Sequence, residues 1–295
     1  MMQVLISGLA IGGLYTLVAM GFTLKLGIAD IVNVAHGAFV VIGMYIVYFA
    51  VTDYGVPEHL AAALAAIFVV LLSLVVYVVL VGPSRLGTGG HEEQIVYTLL
   101  ILSGAGLVLQ LLFGTELRTL PVSSSSVKIF GAFVTREQII AFVTAVVVAG
   151  ALYFVFTRTL IGKIARVAGA YESGARAVGI PVERVFMLVF LVGSGLAGLA
   201  GGLAMTIIPV EPYLGFEFVI VAFLVSISAG LGFGKTALVG LAFGVVEAGF
   251  GRYAGPAVGQ VWTYTFFLVV LAMVTGGVPR GVRSMGRVLA RGSRV

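Results

Sequence analysis

The side chains able to do chemistry in this 295-residue sequence are few and fall in four places. Asp30, Asn33 and His36 recur at i, i+3 and i+6, close to one helix face, at the entry to an apolar stretch. Polar groups inside a membrane are costly unless they face protein or water, so Asn33, His36 and the adjoining Gly37 read either as a gate or pathway element or as caps and hydrogen-bonding groups of a broken helix. The remaining histidines, His59 and His91, fall on opposite sides of the membrane, so the three cannot converge with zinc-ligand spacing. Glu247 is a carboxylate within an apolar stretch, where insertion of a charge costs about 2.5–3.5 kcal/mol. It calls for a pathway or gating role, or for a buried partner such as Arg252 or a tyrosine hydroxyl. Residues 229–236, AGLGFGKT, nearly match the phosphate-binding loop, but Ala229 replaces its first glycine and the flanks are apolar spans rather than the strand and helix of an α/β domain. Lys235 there reads as a positive anchor at a turn. Glu172 and Arg176 form an i,i+4 pair in the favourable order on a short Ala-rich helix from Ala168 to Val178, stopped by Gly179-Ile180-Pro181. No cysteine is present, and no nucleophile–base pair or metal cluster is discernible, so the sequence reads as neither an enzyme nor the holder of a cofactor.

The elements that must position these groups are set by composition. Hydrophobic residues make up 60% of the chain and charged ones 10%, with mean hydropathy +1.17, against about 25% charged in a soluble domain. The expected fold is therefore all-α, a polytopic membrane helical bundle of about 8–10 spans forming one transmembrane domain over 1–295. Nine apolar stretches are read as helices, near 4–24, 34–51, 60–82, 95–113, 138–157, 185–208, 217–230, 236–251 and 261–277. The second and seventh are the weak ones: polar residues interrupt the entry to the second, and the seventh is short for a full span. The first stretch lacks the basic start and cleavage site of a signal peptide and reads as a retained helix.

Of the 17 basic residues, 13 fall on one side of a nine-span topology: Lys25, Arg85, five between Arg158 and Arg184, Lys235, and five from Arg280 to Arg294. Because cytoplasmic loops hold the excess of positive charge, this places the N-terminus outside, the C-terminus inside, and the 158–184 loop in the cytoplasm. The net charge of +5 is thus accounted for by topology, and the basic tail 280–295 faces anionic lipid, with no nucleic-acid partner implied. Small residues spaced by four, at Gly8/Gly12/Thr16, Ser194/Gly198/Gly202 and Gly240/Gly244/Ala248, predict close helix packing.

The run AGAYESGARAVGIPVERV in the 158–184 loop resembles the cytoplasmic loop of the branched-chain amino acid ABC transporter permeases of LivH type. The downstream FLVGSGLAGLAGGL and the N-terminal GLAIGGLYTLVAMGFTLKLGIADIVNVAHGAF, with its Asn33-x-Ala35-His36-Gly37, are similar to that family as well, so the likeness covers most of the chain. It departs at Ala38, where many relatives are acidic, and at Tyr171-Glu172-Ser173, where a more polar run is common. The resemblance implies a type II-like importer fold and a permease subunit in a bacterial or archaeal cell (inner) membrane. It implies ATPase coupling through Ala170, Glu172, Ala175, Arg176, Gly179, Ile180 and Pro181. It also implies a second homologous permease, two ABC ATPases that use the ATP, and an extracytoplasmic substrate-binding protein as partners. The solute is then a branched-chain or other hydrophobic amino acid, with urea, short amides and small organic acids as alternatives. An ATP-independent secondary transporter or channel is the competing class, but such proteins place ionisable groups at the midplane, where this sequence offers little besides Glu247.

Overall fold

A computed structural model describes residues 1–86, 90–120, 126–129 and 131–274. Its helices, in order, are α1 (Met2–Gly27), α2 (His36–Thr52), α3 (Glu58–Val76), α4 (Gly82–Leu86), α5 (Gly90–Phe113), α6 (Arg136–Arg158), α7 (Leu160–Ala170), α8 (Glu172–Ala177), α9 (Val182–Ala204), α10 (Gly215–Ser228), α11 (Phe233–Ala254) and α12 (Pro256–Val274). A π-helical turn over Tyr77–Val81 joins α3 to α4, so Glu58–Arg85 runs as one apolar rod. Each of the nine apolar stretches holds a helix among the described residues. Among the described residues, seven helices are long and apolar enough to cross a membrane. The two weak stretches are the two short apolar helices, α2 and α10. At about 1.5 Å per residue, the 14 residues of α10 rise about 21 Å, less than the roughly 30 Å of a hydrocarbon core.

The three small-residue stripes pack within the chain. Helix α1 is the central helix, buried along most of its length, and Gly8, Gly12 and Thr16 lie against Gly240, Gly244 and their neighbours on α11. A Cβ added at Gly12 would sit 2.7 Å from the Leu241 carbonyl oxygen, so the two backbones touch. Helix α9 is held between α2 and α3: Gly198 lies against Ala65 and Val69, and Gly202 against Ala62 and Val47. Lipid offers no hydrophobic drive for helix association, so backbone approach through small residues is what van der Waals attraction requires here.

A hairpin of β1 (Ser126–Ile129) and β2 (Ala132–Thr135), with Val127 opposite Val134, is absent from the sequence-based expectation. Its outer edge is satisfied by Gln3 of α1, whose amide donates to the Phe133 carbonyl at 2.9 Å and accepts from the Phe133 amide at 2.8 Å. Thr135 and Gln138 then form a capping box that starts α6. These contacts, with the Arg118–Val210 bridge, put the N-terminus, residues 114–120, the hairpin and the 208–214 connection at one end of the bundle. Asp30, His91, Arg85 and the 159–181 segment lie at the other, as an odd number of spans demands. The basic tail 280–295 lies outside the described residues.

Candidate functional site

The 159–181 segment is built from three pieces rather than one helix. Thr159 accepts from the Gly162 amide to cap the amphipathic α7, which ends at Ala170. The expected continuous helix from Ala168 to Val178 is broken at Tyr171, with φ −151° and ψ 79°. The cause is tertiary. Gly169 is pressed against the backbone of Ile28, and the Tyr171 ring lies over Gly174, so the chain must turn between them. The six-residue α8 follows, ended by Gly179 at φ +83° and by Pro181 at the N-cap of α9. Ala175 is buried and Ile180 packs on the core, which leaves the apolar side chains of Tyr171 and Val178 exposed on either side of α8.

Glu172 is the hub of an ion-pair network. One carboxylate oxygen accepts from Arg176 at 2.6 Å, the i,i+4 pair read in the sequence, and the other accepts from Arg85 of α4 at 2.7 Å. Arg176 also pairs with Glu183 in the first turn of α9, and the Arg85 guanidinium lies 4.0 Å from the centre of the Phe186 ring. The hydrogen bond from Arg176, joined by that from Arg85, holds the Glu172 carboxyl below its ordinary value. A depressed carboxyl contributes stability that is complete above its ordinary value of 4.5 and lost as pH falls through the folded value, so the network is intact at neutral pH. Arg85 stands 87 residues from Glu172, and nothing in its local sequence marks it as a partner.

The second group corrects the sequence reading. Asp30, Asn33 and His36 do not share a helix face, because residues 28–35 are unwound between α1 and α2. Asp30 takes φ +53° and is exposed, while Asn33 and His36 are fully buried. The freed backbone groups are met by one polar stripe on α5. His91 contacts the Asp30 carbonyl at 3.0 Å, Gln94 accepts from the Val32 amide at 3.2 Å, and Thr98 accepts from the Val34 amide at 3.0 Å. That stripe was readable as His91, Gln94 and Thr98 at helical spacing on one face of α5. The Asn33 side chain has no hydrogen-bond partner among the described residues. Gly37 is a point of close approach, since any Cβ there would run into the Gly215 carbonyl at the start of α10.

Lys25, counted with the loop cations in the sequence, is instead fully buried. It sits 3.0 Å from His36 Nδ1 and faces the Phe39 and Phe190 rings at 5.1 and 4.6 Å. His36 Nε2 donates to the Val18 carbonyl at 2.9 Å, which leaves Nδ1 as the acceptor for the lysine. The amine lies inside because α1 ends against α9, where Gly193 leaves room for its stem.

Glu247 finds a tyrosine rather than Arg252: Tyr15 donates to its Oε1 at 3.0 Å, across the α1–α11 contact. Beside it, Gln260 of α12 donates to Glu217 at 2.7 Å and to the Tyr264 oxygen at 2.9 Å. The near-match to a phosphate loop is a turn between α10 and α11, with Gly230 and Leu231 at positive φ and Lys235 in the first turn of α11.

Residues 4–275 match the family described as branched-chain amino acid transport system / permease component. The chain belongs to that family. It is 27% identical to the high-affinity branched-chain amino acid transport system permease protein BraD of Pseudomonas aeruginosa, over 94% of this chain and 95% of that one. It is 25% identical to LivH, the permease protein of the corresponding system in Escherichia coli K12, over 94% of both. A probable LivH of Methanocaldococcus jannaschii is 25% identical over 91% of this chain and 88% of that one. Among solved structures, PsaBC from Streptococcus pneumoniae in complex with Fab aligns at TM-score 0.52 and 16% identity, covering 92% of this chain and 90% of that one, which shows a shared fold. This permease is thus a helical membrane protein of a transport family.

Proposed function

We propose that this permease imports branched-chain amino acids as one membrane subunit of a binding-protein-dependent ABC importer. The observation that carries the reading is the end-to-end likeness to BraD and LivH, which are named for that transport and are covered over nine-tenths of their length. The chain acts as a single permease domain, catalyses no reaction of its own and binds no cofactor. A second homologous permease and two ATPases complete the membrane assembly, and an extracytoplasmic protein delivers the solute. The N-terminus lies outside and the C-terminus in the cytoplasm, so the 159–181 segment faces the ATPases. Exposed Tyr171 and Val178 then present an apolar contact around α8, and Ala170, Gly179 and Pro181 shape its ends. Asn33, His36, Gly37 and Glu247 belong to the pathway or its gate.

The decisive experiment is uptake into proteoliposomes holding both permeases and both ATPases, with loaded binding protein outside. ATP-dependent accumulation of leucine, isoleucine or valine is expected, and none when the ATPases are left out. Substantial uptake without ATPases would replace this reading with a secondary transporter. Orientation is checked separately in the cysteine-free chain, where Thr115→Cys should label with an impermeant thiol reagent from outside intact cells and Ser173→Cys only from inside. Labelling of both from one side would refute the topology.

If α8 takes the ATPase stroke, Arg85 passes it on, because it ties α8 to the rod of α3 and α4. Arg85→Gln and Glu172→Gln should each cut solute moved per ATP hydrolysed by about threefold to tenfold, the worth of a typical net hydrogen bond of about 1 kcal/mol at a partly exposed site. The double substitution should be no worse than Glu172→Gln alone, since residues in one network do not add. Additive losses would mean that the two act independently.

A further inference from the structure

Beside the Glu247–Tyr15 contact lies a cavity of about 460 Å³, opening at the end of the bundle where the chain begins. Its lining includes Gln3, Ser7, Ile11, Glu247, Arg252 and Pro256. Glu247 Oε1 is held by Tyr15, but its Oε2 is buried with no hydrogen-bond partner among the described residues. A buried carboxylate oxygen left unmet is unfavourable, and an ionisable group within a membrane span must face protein or a water-filled space. Arg252, an exposed residue, lines the same cavity and, among the described residues, takes part in no ion pair. The two stand five residues apart on α11, about 7.5 Å along its axis, which keeps them from closing on each other. Opposite charges held apart across one small space, with Ile11 and Pro256 on its wall, call for a ligand that carries both charges and an apolar group.

We propose that this cavity is a binding subsite for a zwitterionic aliphatic α-amino acid, with Glu247 receiving the ammonium, Arg252 the carboxylate, and Ile11 and Pro256 the side chain. An anion alone leaves Glu247 unmet, and a cation alone makes no use of Arg252. An ammonium and a carboxylate separated by one carbon can each make a hydrogen bond of about 2.9 Å, one to each side chain. This inference rests on the importer reading and deepens it. With the N-terminus outside, the cavity lies toward the outer surface, where a solute is released. The α1–α11 stripe holds the site's wall, since Tyr15 and Glu247 face each other across it.

A zwitterionic lipid headgroup shares this chemistry, so the test uses the assembled complex in nanodiscs of phosphatidylglycerol, which lacks an ammonium. Binding protein is left out. Ser7→Cys places a thiol on the cavity wall, and its rate of modification by a methanethiosulfonate reagent is followed. Leucine at ten times its half-protecting concentration should slow modification about tenfold. Isoamylamine, without the carboxylate, and 4-methylpentanoate, without the ammonium, should not protect, and protection by leucine should vanish in Glu247→Gln and in Arg252→Gln. Gly251→Cys, on the same cavity, serves as a second reporter should Ser7→Cys assemble poorly. Equal protection by either analogue, or protection unchanged in both variants, would overturn the site. Protection by added phosphatidylethanolamine, with no leucine effect in its absence, would assign the cavity to lipid and overturn it too. Uptake by the complete system is measured in parallel. Leucine uptake without protection sinks the site and leaves the importer standing; uptake of no aliphatic amino acid sinks both.

Discussion

Replacing His36 by Leu lowers the stability of the chain more than replacing His36 and Lys25 together. The lysine amine is fully buried, and its remaining contacts are the faces of Phe39 and Phe190 at 5.1 and 4.6 Å. Taking away the imidazole leaves it without an acceptor, and a buried donor left unmet costs about 1–3 kcal/mol, more where it carries charge. Lys25→Met alone leaves His36 Nδ1 an unmet acceptor, a smaller loss of about 1–3 kcal/mol. The double variant Lys25→Met/His36→Leu replaces both with apolar groups of similar length and removes the unmet polarity, so most of the loss is recovered. Melting in detergent should rank wild type highest, then the double variant, then His36→Leu. The same proteins separate architecture from gating. If the double variant melts near wild type yet fails to transport, His36 has a role in the pathway beyond packing. If it transports normally, the polar pair serves to hold the unwound entry of α2.

What could be read from the sequence follows the range of the forces concerned. The spans were legible because hydropathy over about 20 residues is a local sum, and the two short helices, α2 and α10, were marked by the same sum. The small-residue stripes were legible because a period of four is local too, although the pairing of the α1 stripe with that of α11 was not. The Glu172–Arg176 pair was readable for the same reason, being one helical turn apart. The groups that escaped are joined through space. Arg85 and Glu172 are set together by the packing of α4 beneath α8. The break at Tyr171 is imposed by Gly169 against Ile28, a contact between segments far apart in the chain. Lys25 reads as a loop cation from its position at a helix end, and only the seating of α1 against α9 carries it inside. Gln94 and Thr98 matter because residues 28–35 are unwound, and the sequence placed those residues on a helix face.

The α1–α11 contact gives the sharpest structural test, because one helix supplies both the variant and its control. At Gly244 an added Cβ would overlap the backbone of Gly12 and Gly8, and backbone cannot swing aside as a side chain can. Gly244→Ala must therefore push α11 away from α1 along the stripe that brings Tyr15 to Glu247. Overpacking of this kind costs about 1–3 kcal/mol, which for a chain of this size corresponds to a fall of roughly 2–5 °C in melting temperature. At Gly249, five residues on, a Cβ would meet nothing within 4 Å. The same substitution there removes only the helix penalty of glycine, about 1 kcal/mol, so Gly249→Ala should melt at or slightly above wild type. Uptake should follow the same division. Gly244→Ala loses transport even where protein survives, because the Tyr15–Glu247 hydrogen bond of 3.0 Å does not tolerate helices moved apart by a methyl group. Equal behaviour of the two alanine variants would mean that the stripe is not the contact holding α1 and α11 in register.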